Sequence, residues 1–158
     1  MPVDISRLPY IDEHSIDLGL GADDAWPYLV DGIERSFGHG AARLYARLLR
    51  CDDVDATGPR PFAVGSTVPG FHVESIDPRA SLVIVGHHRF SDYALSFRLE
   101  RLDPYRTRLH AETRADFPGP MARIYRLLVI GSGGHVVAVR RLLSGVKRRA
   151  DHSTVAPR

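Results

Sequence analysis

A histidine and a tyrosine near the middle of the chain are the side chains best suited to chemistry. His88 lies in an alternating apolar segment, residues 81–90, and Tyr93 begins the next such segment. A histidine in an apolar pocket can stay neutral near neutral pH and move protons on a bound carbonyl compound, which a tyrosine hydroxyl can orient. We therefore predict His88 as a candidate acid–base and Tyr93 as a candidate orienting residue. The alternative for each is structural, with His88 hydrogen-bonded in place and Tyr93 at the rim of a pocket.

The remaining histidines do not predict a metal site. His87 and His88 are neighbours in a predicted strand, so their side chains point to opposite faces and cannot bind one ion together. His14 and His135 lie far from them in the chain, and nothing in the sequence sets their distances from His88. Cys51 is the single cysteine, so the chain has neither a disulfide nor a cysteine pair for zinc. We predict no metal and no cofactor.

A glycine cluster near the C-terminus, GSGG at residues 131–134, has the composition of a phosphate-binding turn. A dinucleotide-binding turn requires G-x-G-x-x-G followed by a helix and a second parallel strand. Val136 occupies the place of the third glycine, and the residues after Gly134 contain no credible second strand. The cluster is also not followed by Gly-Lys-Ser or Gly-Lys-Thr, so nucleotide binding is not predicted.

The same cluster lies within a helical pattern. Apolar and small residues recur every three or four positions at Met121, Ile124, Leu128, Gly131, His135, Val139, Leu142 and Val146. This stripe predicts one continuous helix over residues 120–149. Three glycines inside a helix cost about 2–3 kcal/mol relative to alanine. Either a bend or close packing against the sheet accounts for them, or the helix is thinned where it borders a cavity.

The rest of the chain is typical of an antiparallel sheet with two helices. Alternating patterns predict strands over residues 10–20, 67–76, 81–90, 93–102 and 106–117. Ser91 and Asp92 are predicted as the two-residue turn of a hairpin, which places Phe90 opposite Tyr93. Helices are predicted over residues 22–37, with an aspartate as the cap, and over residues 41–50. The strict alternation of residues 106–117 indicates one wet face and one covered face.

Length and charge limit the class of protein. The 158 residues predict one domain over residues 1–150 and an unstructured tail over residues 151–158. The net charge of +2 gives no reason to expect nucleic acid as a partner. The N-terminus lacks the pattern of a signal peptide, and the longest apolar run is far below the about 20 residues that cross a bilayer. We therefore expect a cytoplasmic location without stable membrane insertion, and the oligomeric state is left open.

The order of these elements is similar to that of the START-like helix-grip superfamily, and more narrowly to its polyketide cyclase/dehydrase-like branch. The carrying residues are SIDL (15–18), which lead into ADDAWPYL (22–29) with Trp26 in the first helical turns, and the closing VRRLL (139–143) and VKRRA (146–150). The resemblance covers nearly the whole chain. It implies an α+β helix-grip fold, with a curved antiparallel sheet around a long C-terminal helix and an apolar cavity between them. The chain lacks the glycine-rich loop of the plant-allergen-like members, so the ligand-gating role of that loop is not implied.

In such a fold, inward-facing strand residues and one helix face line the cavity. We predict as ligand-binding residues Phe71, Ile84, Phe90, Leu95, Phe97, Leu109, Thr113, Leu128, Gly131 and His135. A mostly apolar wall with a few polar groups is typical of small-molecule sites. We therefore expect a small hydrophobic ligand of lipid, quinone or polyketide type, bound either without chemistry or with cyclase/dehydratase-type acid–base chemistry. The alternative is a module that docks a protein or a membrane surface without any ligand.

Overall fold

The computed structural model describes residues 3–155 as one curved antiparallel sheet with helices packed on one of its faces. Six strands form the sheet in the order β1-β6-β5-β4-β3-β2. In chain order they are β1 (Tyr10–Leu18), β2 (Thr67–Val68), β3 (Phe71–Asp77), β4 (Ser81–His88), β5 (Ser91–Asp103) and β6 (Arg106–Asp116). The buried residues of β6 alternate with its more exposed ones, which confirms the predicted covered and wet faces.

Within residues 3–155, four α-helices accompany the sheet: α1 (Ala22–Phe37), α2 (Gly40–Leu49), α3 (Pro120–Arg126) and α4 (Gly134–Val155), with a π-helical turn, Leu127–Gly131, after α3. A short 3-10 helix, Ile5–Arg7, precedes β1. The predicted helix-grip fold is thereby confirmed. The expected aspartate cap of α1 is not formed, because Gly21 occupies the cap position. Asp23 and Asp24 lie instead in the first turn, where their charge favours the positive end of the helix dipole.

The prediction of one continuous helix over residues 120–149 is wrong at Ser132 and Gly133. Gly133 adopts φ +76°, a left-handed conformation that favours glycine, and the segments on either side of the break differ in direction by 46°. The Ser132 hydroxyl donates to the Leu128 carbonyl and accepts from the Gly134 N–H at 3.3 Å, so it serves backbone groups that the break leaves without helical partners. The first half of the predicted apolar stripe is exposed rather than buried, including Met121 and Leu128.

Two further findings concern the ends and length of the helices. α4 continues to Val155, so residues 151–155 are helical and do not belong to an unstructured tail. Residues 156–158 of that predicted tail lie outside the described residues. In the described part of the chain no single helix has the length and apolar character needed to cross a membrane, although the bent pair meets that test by length and composition.

The hydrophobic core fills one half of the space above the sheet. It is formed by α1, the middle of α4 and the facing strands, with fully buried side chains that include Leu18, Leu29, Ile33, Leu82, Ile84, Leu109 and Val146. Each such side chain contributes roughly 1.5–3 kcal/mol to the free energy of unfolding through burial. The other half of the sheet, toward the turn between β4 and β5, is faced by the bent helical segment and by α2.

The turn between β4 and β5 differs from the predicted one. Arg89 and Phe90 form the turn, whereas Ser91 and Asp92 belong to β5 and pair with His88 and His87. The carboxylate of Asp92 lies 2.5 Å from Nδ1 of His87, so this hydrogen bond joins the two strands at the end of the ladder. The displacement is an even number of residues, and for that reason the residues that remain in β4 and β5 keep their predicted faces of the sheet, whereas Phe90 leaves the sheet.

The turn between β2 and β3, which contains Gly70, packs closely against Gly86 in β4. This packing predicts a strong effect of Gly86→Ala on stability. A Cβ atom at Gly86 would overlap the Gly70 carbonyl oxygen and the Tyr93 ring. We expect this substitution to lower the free energy of unfolding by about 1–3 kcal/mol, measured by denaturant titration. Gly19→Ala is the matched control, because a Cβ there meets nothing within 4 Å. Equal stability of the two variants would contradict the packing described.

Candidate ligand-binding cavity

A cavity of about 740 Å³ lies between the half of the sheet that the core leaves open and the helices above it. Its wall is formed by α2, the segment from α3 through the first turns of α4, the end of α1 and strands β3 to β6. Most of the side chains are aromatic or aliphatic, including Phe37, Phe71, Leu95, Phe97, Phe117, Val129 and Ile130. The volume is within the range of small-molecule sites, roughly 300–1,000 Å³.

The structure brings most of the predicted site residues to this wall. The predicted residues that line it are Phe71, His88, Tyr93, Leu95, Phe97, Thr113, Leu128 and His135. Four others do not line it. Ile84 and Leu109 face inward but are covered by helices in the core, Phe90 lies in the turn, and Gly131 is exposed at the end of the π-helical turn.

Sequence reasoning missed the tyrosine pair at the cavity. The hydroxyl oxygens of Tyr45 on α2 and Tyr125 on α3 are 2.8 Å apart and join the two helices. The Tyr125 ring stacks on Phe90 at 5.3 Å and meets the edge of His88 at 5.0 Å. Tyr45 and Tyr125 are 80 residues apart, so no spacing rule connects them. The only local indication was that Tyr125 follows Ile124, a residue of the predicted helical stripe.

His88 is neutral and already hydrogen-bonded. Its side chain is buried, with 4% of the residue exposed, and burial lowers the pKa of the imidazole to about 4. The backbone N–H of Phe90 donates to Nδ1 at 3.1 Å. Nδ1 must therefore be the unprotonated nitrogen, and the proton of the neutral ring lies on Nε2. His88 can donate a hydrogen bond to a ligand at neutral pH, but it has no free lone pair with which to act as a base.

Tyr93 also uses its proton within the protein. The hydroxyl donates to the Gly70 carbonyl at 2.6 Å, and the Cys51 sulfur lies 3.7 Å from the same oxygen. Burial raises the pKa of Tyr93 well above its usual range and also raises the pKa of the Cys51 thiol. The phenol and the thiol are therefore both uncharged at neutral pH, and Cys51 has little nucleophilic character. Tyr93 holds the turn at Gly70 and can offer a ligand only a lone pair or its ring.

A second polar group of the wall lies on the side of β1 and β6. The Asp12 carboxylate bridges two histidines, with Oδ1 3.3 Å from Nε2 of His135 and Oδ2 3.2 Å from Nε2 of His14. Asp12 is the pairing partner of Thr113 across β1 and β6. The Thr113 hydroxyl oxygen is buried and has no hydrogen-bond partner among residues 3–155. Within the same residues, no group of three or more His, Cys, Asp or Glu side chains is arranged to hold a metal ion.

Comparison with known structures places this architecture in a recognised fold class. The chain is similar to the Zhui aromatase/cyclase from Streptomyces sp. R1128, with 17% identity over 92% of this chain and 95% of that one, and a TM-score of 0.57. It is also similar to norcoclaurine synthase from Thalictrum flavum, with 13% identity over 94% and 99% of the two chains and a TM-score of 0.57. CalU16 from Micromonospora echinospora gives 13% identity over 89% and 83%, with a TM-score of 0.50. At these identities the likeness establishes the fold and not the activity.

No family model matches the sequence, and comparison with curated proteins finds no significant match. The chain is therefore defined at the level of the helix-grip fold.

The buried, neutral His88 predicts a measurable titration. Its pKa is lowered from the ordinary 6.5 to about 4, so between these values the unfolded chain binds more protons than the folded one. The stability contributed by this group is present above pH 6.5 and is lost as the pH falls toward 4. Imidazole NMR signals should give a midpoint near pH 4 for His88, with His88→Gln identifying the resonance. A midpoint near 6.5 would refute the buried, neutral state.

Proposed function

We propose that this protein binds a small hydrophobic molecule of lipid, quinone or polyketide type in the 740 Å³ cavity, as a member of the polyketide cyclase/dehydrase-like branch. The observation that carries the proposal is the wall itself, which is predominantly aromatic and aliphatic. Water in such a space finds few hydrogen-bond partners, and an apolar ligand would remove that surface from water. Leu95, Phe97, Val139 and Leu142 belong both to the core cluster and to the wall, so the cavity borders the core directly.

Two proteins of the same fold support the proposal that the cavity holds a small organic molecule. One neighbour is described as an aromatase/cyclase, and the norcoclaurine synthase is described in complex with a transition-state analogue. Both descriptions belong to those proteins and indicate only that this fold can hold small organic substrates.

If the ligand is also transformed, we propose His88 as a hydrogen-bond donor rather than as a base. Nε2–H of the neutral ring could polarise a ligand carbonyl, as cyclisation or dehydration chemistry requires, while Nδ1 remains bound to the Phe90 N–H. Tyr93 would position the ligand through its ring, since its proton is given to Gly70.

A plugged cavity tests the binding proposal. Ala138 lies on α4 at the wall and is itself exposed, so Ala138→Trp fills the cavity without replacing a core side chain. We expect the wild-type protein to bind the apolar fluorescent probe N-phenyl-1-naphthylamine saturably, and Ala138→Trp to bind it at least about tenfold more weakly. Ala41→Trp, on an exposed position of α2 outside the wall, is the control and should bind like the wild type. Unsaturable or equal binding by all three proteins would reject the proposal.

A second candidate function is docking to an anionic lipid surface, favoured by the exposed side chains of α2 and of residues 120–131, the two segments over the cavity that we call its mouth. Large apolar side chains are exposed on α2 and on the α3 segment: Leu44, Leu48, Met121, Ile124 and Leu127. Arginines interleave with them at positions 43, 47, 123 and 126, and no acidic residue occurs in residues 40–50 or 117–150. Exposed apolar side chains among cationic ones are typical of elements that lie at the surface of an anionic bilayer.

Vesicle binding tests this second function. We expect cosedimentation with phosphatidylglycerol vesicles and little with phosphatidylcholine vesicles, declining as salt rises because the attraction is partly electrostatic. Leu127→Asp should lower the bound fraction several-fold. Tyr105→Asp, at the exposed turn between β5 and β6, introduces the same charge at the opposite end of the strands and should leave binding unchanged. Equal loss in both variants would mean that net charge, and not the mouth, determines binding.

A further inference from the structure

We propose that the ligand of this cavity carries a hydroxyl group, and that Thr113 and His135 bind that hydroxyl with Asp12 as the positioning residue. The inference rests on the proposed ligand-binding function and deepens it by naming a chemical class: an alcohol or phenol with an apolar body. It arises from a polar corner, defined as Asp12, Thr113 and His135, of which Thr113 and His135 line a wall that is otherwise mostly apolar.

The sheet register brings the polar corner together. Asp12 and Thr113 are direct partners in the β1–β6 ladder, so their side chains lie on the same face of the sheet. That face is the cavity face, because Thr113 and His135 both line the wall. From β1, the Asp12 carboxylate reaches Nε2 of His135 at 3.3 Å, and His135 lies in the first turn of α4 immediately after the helix break.

The hydrogen bonding of His135 leaves one nitrogen for a ligand. A carboxylate accepts hydrogen bonds, so the contact with Asp12 requires a proton on Nε2 of His135. In the neutral ring Nδ1 then carries a lone pair, and it has no hydrogen-bond partner among residues 3–155. The second carboxylate oxygen is engaged by His14 at 3.2 Å, which fixes the orientation of Asp12 from the other side.

Thr113 supplies the complementary donor. Its side chain forms part of the cavity wall, yet its hydroxyl oxygen is buried without a partner in the described chain. Buried hydroxyls are almost always hydrogen-bonded, so an unpaired one beside a cavity indicates a missing partner. In the proposed complex a rotation about χ1 exchanges the methyl and hydroxyl groups of Thr113, which are similar in size, and brings the hydroxyl to the ligand.

A ligand hydroxyl matches both groups at once, since it can donate to Nδ1 of His135 and accept from the Thr113 hydroxyl. A carbonyl could accept from Thr113 but would face the Nδ1 lone pair. A carboxylate would in addition be repelled by the negative charge of Asp12 behind the imidazole. The polar corner therefore favours a hydroxyl group over a carbonyl or a carboxylate.

The experiment compares 2-naphthol with 2-methylnaphthalene, which replaces the hydroxyl by a methyl group of similar size. The quantity measured is the ratio of the two dissociation constants, by calorimetry or by fluorescence. We expect Thr113→Val and His135→Phe each to reduce the preference for 2-naphthol by about fivefold or more, with binding of 2-methylnaphthalene retained. Thr107→Val is the matched control, because the Thr107 hydroxyl is also buried without a partner in the described part of the chain, but Thr107 does not line the cavity. Its ratio should equal that of the wild type.

The outcomes separate the two proposals. If both probes bind and neither Thr113→Val nor His135→Phe changes the ratio, the hydroxyl preference is wrong while the binding function stands. If no probe binds the wild-type protein or the Thr107→Val control, the binding function itself is overturned and the hydroxyl preference falls with it. Thr113→Val preserves side-chain volume, and His135 is only partly buried; if one variant fails to fold, the other still decides the matter.

Discussion

The break of the C-terminal helical segment at Ser132 and Gly133 is the constraint on which the cavity depends. A helix that continued straight from α4 would run on in the direction that buries Val139, Leu142 and Val146, whereas the preceding segment departs from it by 46°. The left-handed conformation of Gly133 makes this change of direction possible at little backbone cost. As a result, α1 and the middle of α4 complete the core over one half of the sheet, and the other half faces an open space.

The polar groups of the cavity differ in how far the protein already satisfies them. His88 and Tyr93 are each bound to a backbone group, at the Phe90 N–H and the Gly70 carbonyl, so their geometry is fixed before any ligand arrives. Asp12 instead orients His135 and leaves one ring nitrogen unpaired in the described chain. Groups of the first kind shape a pocket and offer one defined contact, while groups of the second kind gain a partner when a ligand binds. We therefore expect polar groups of a ligand to be bound on the β1 and β6 side of the cavity rather than on the β4–β5 side.

The helical segments at the mouth of the cavity are held by fewer interactions than the strands of its floor. The floor is a continuous ladder of strands, whereas α2 and α3 are linked across the mouth by the Tyr45–Tyr125 hydroxyl pair and by the stacking of Tyr125 on Phe90. Elements with few buried apolar contacts open at lower free-energy cost than core strands. The same elements expose leucines and arginines to solvent, so entry of an apolar ligand and contact with a lipid surface would use one region of the molecule.

Much of the fold followed from the sequence, because periodicity records which face of an element is covered. The alternation in β6 was sufficient to predict its buried face, and the strand–helix–helix–strands–helix order predicted the helix-grip class. The hairpin turn was misplaced onto Ser91 and Asp92 because these are common turn residues. The error moved Phe90 from the predicted strand into the turn, but the residues that remain in β4 and β5 kept their predicted faces, since an even shift preserves the alternation of faces.

What the sequence alone determined was the set of inward-facing residues; what the tertiary structure decided was which of them a helix covers. Ile84 and Leu95 have the same pattern and are paired neighbours, yet Leu95 lines the cavity and Ile84 does not. Three other features also could not be predicted from the sequence: the helix break, the Tyr45–Tyr125 contact and the Asp12–His135 contact. Each depends on the path of the backbone between residues far apart in the chain, and local periodicity carries no information about such distances.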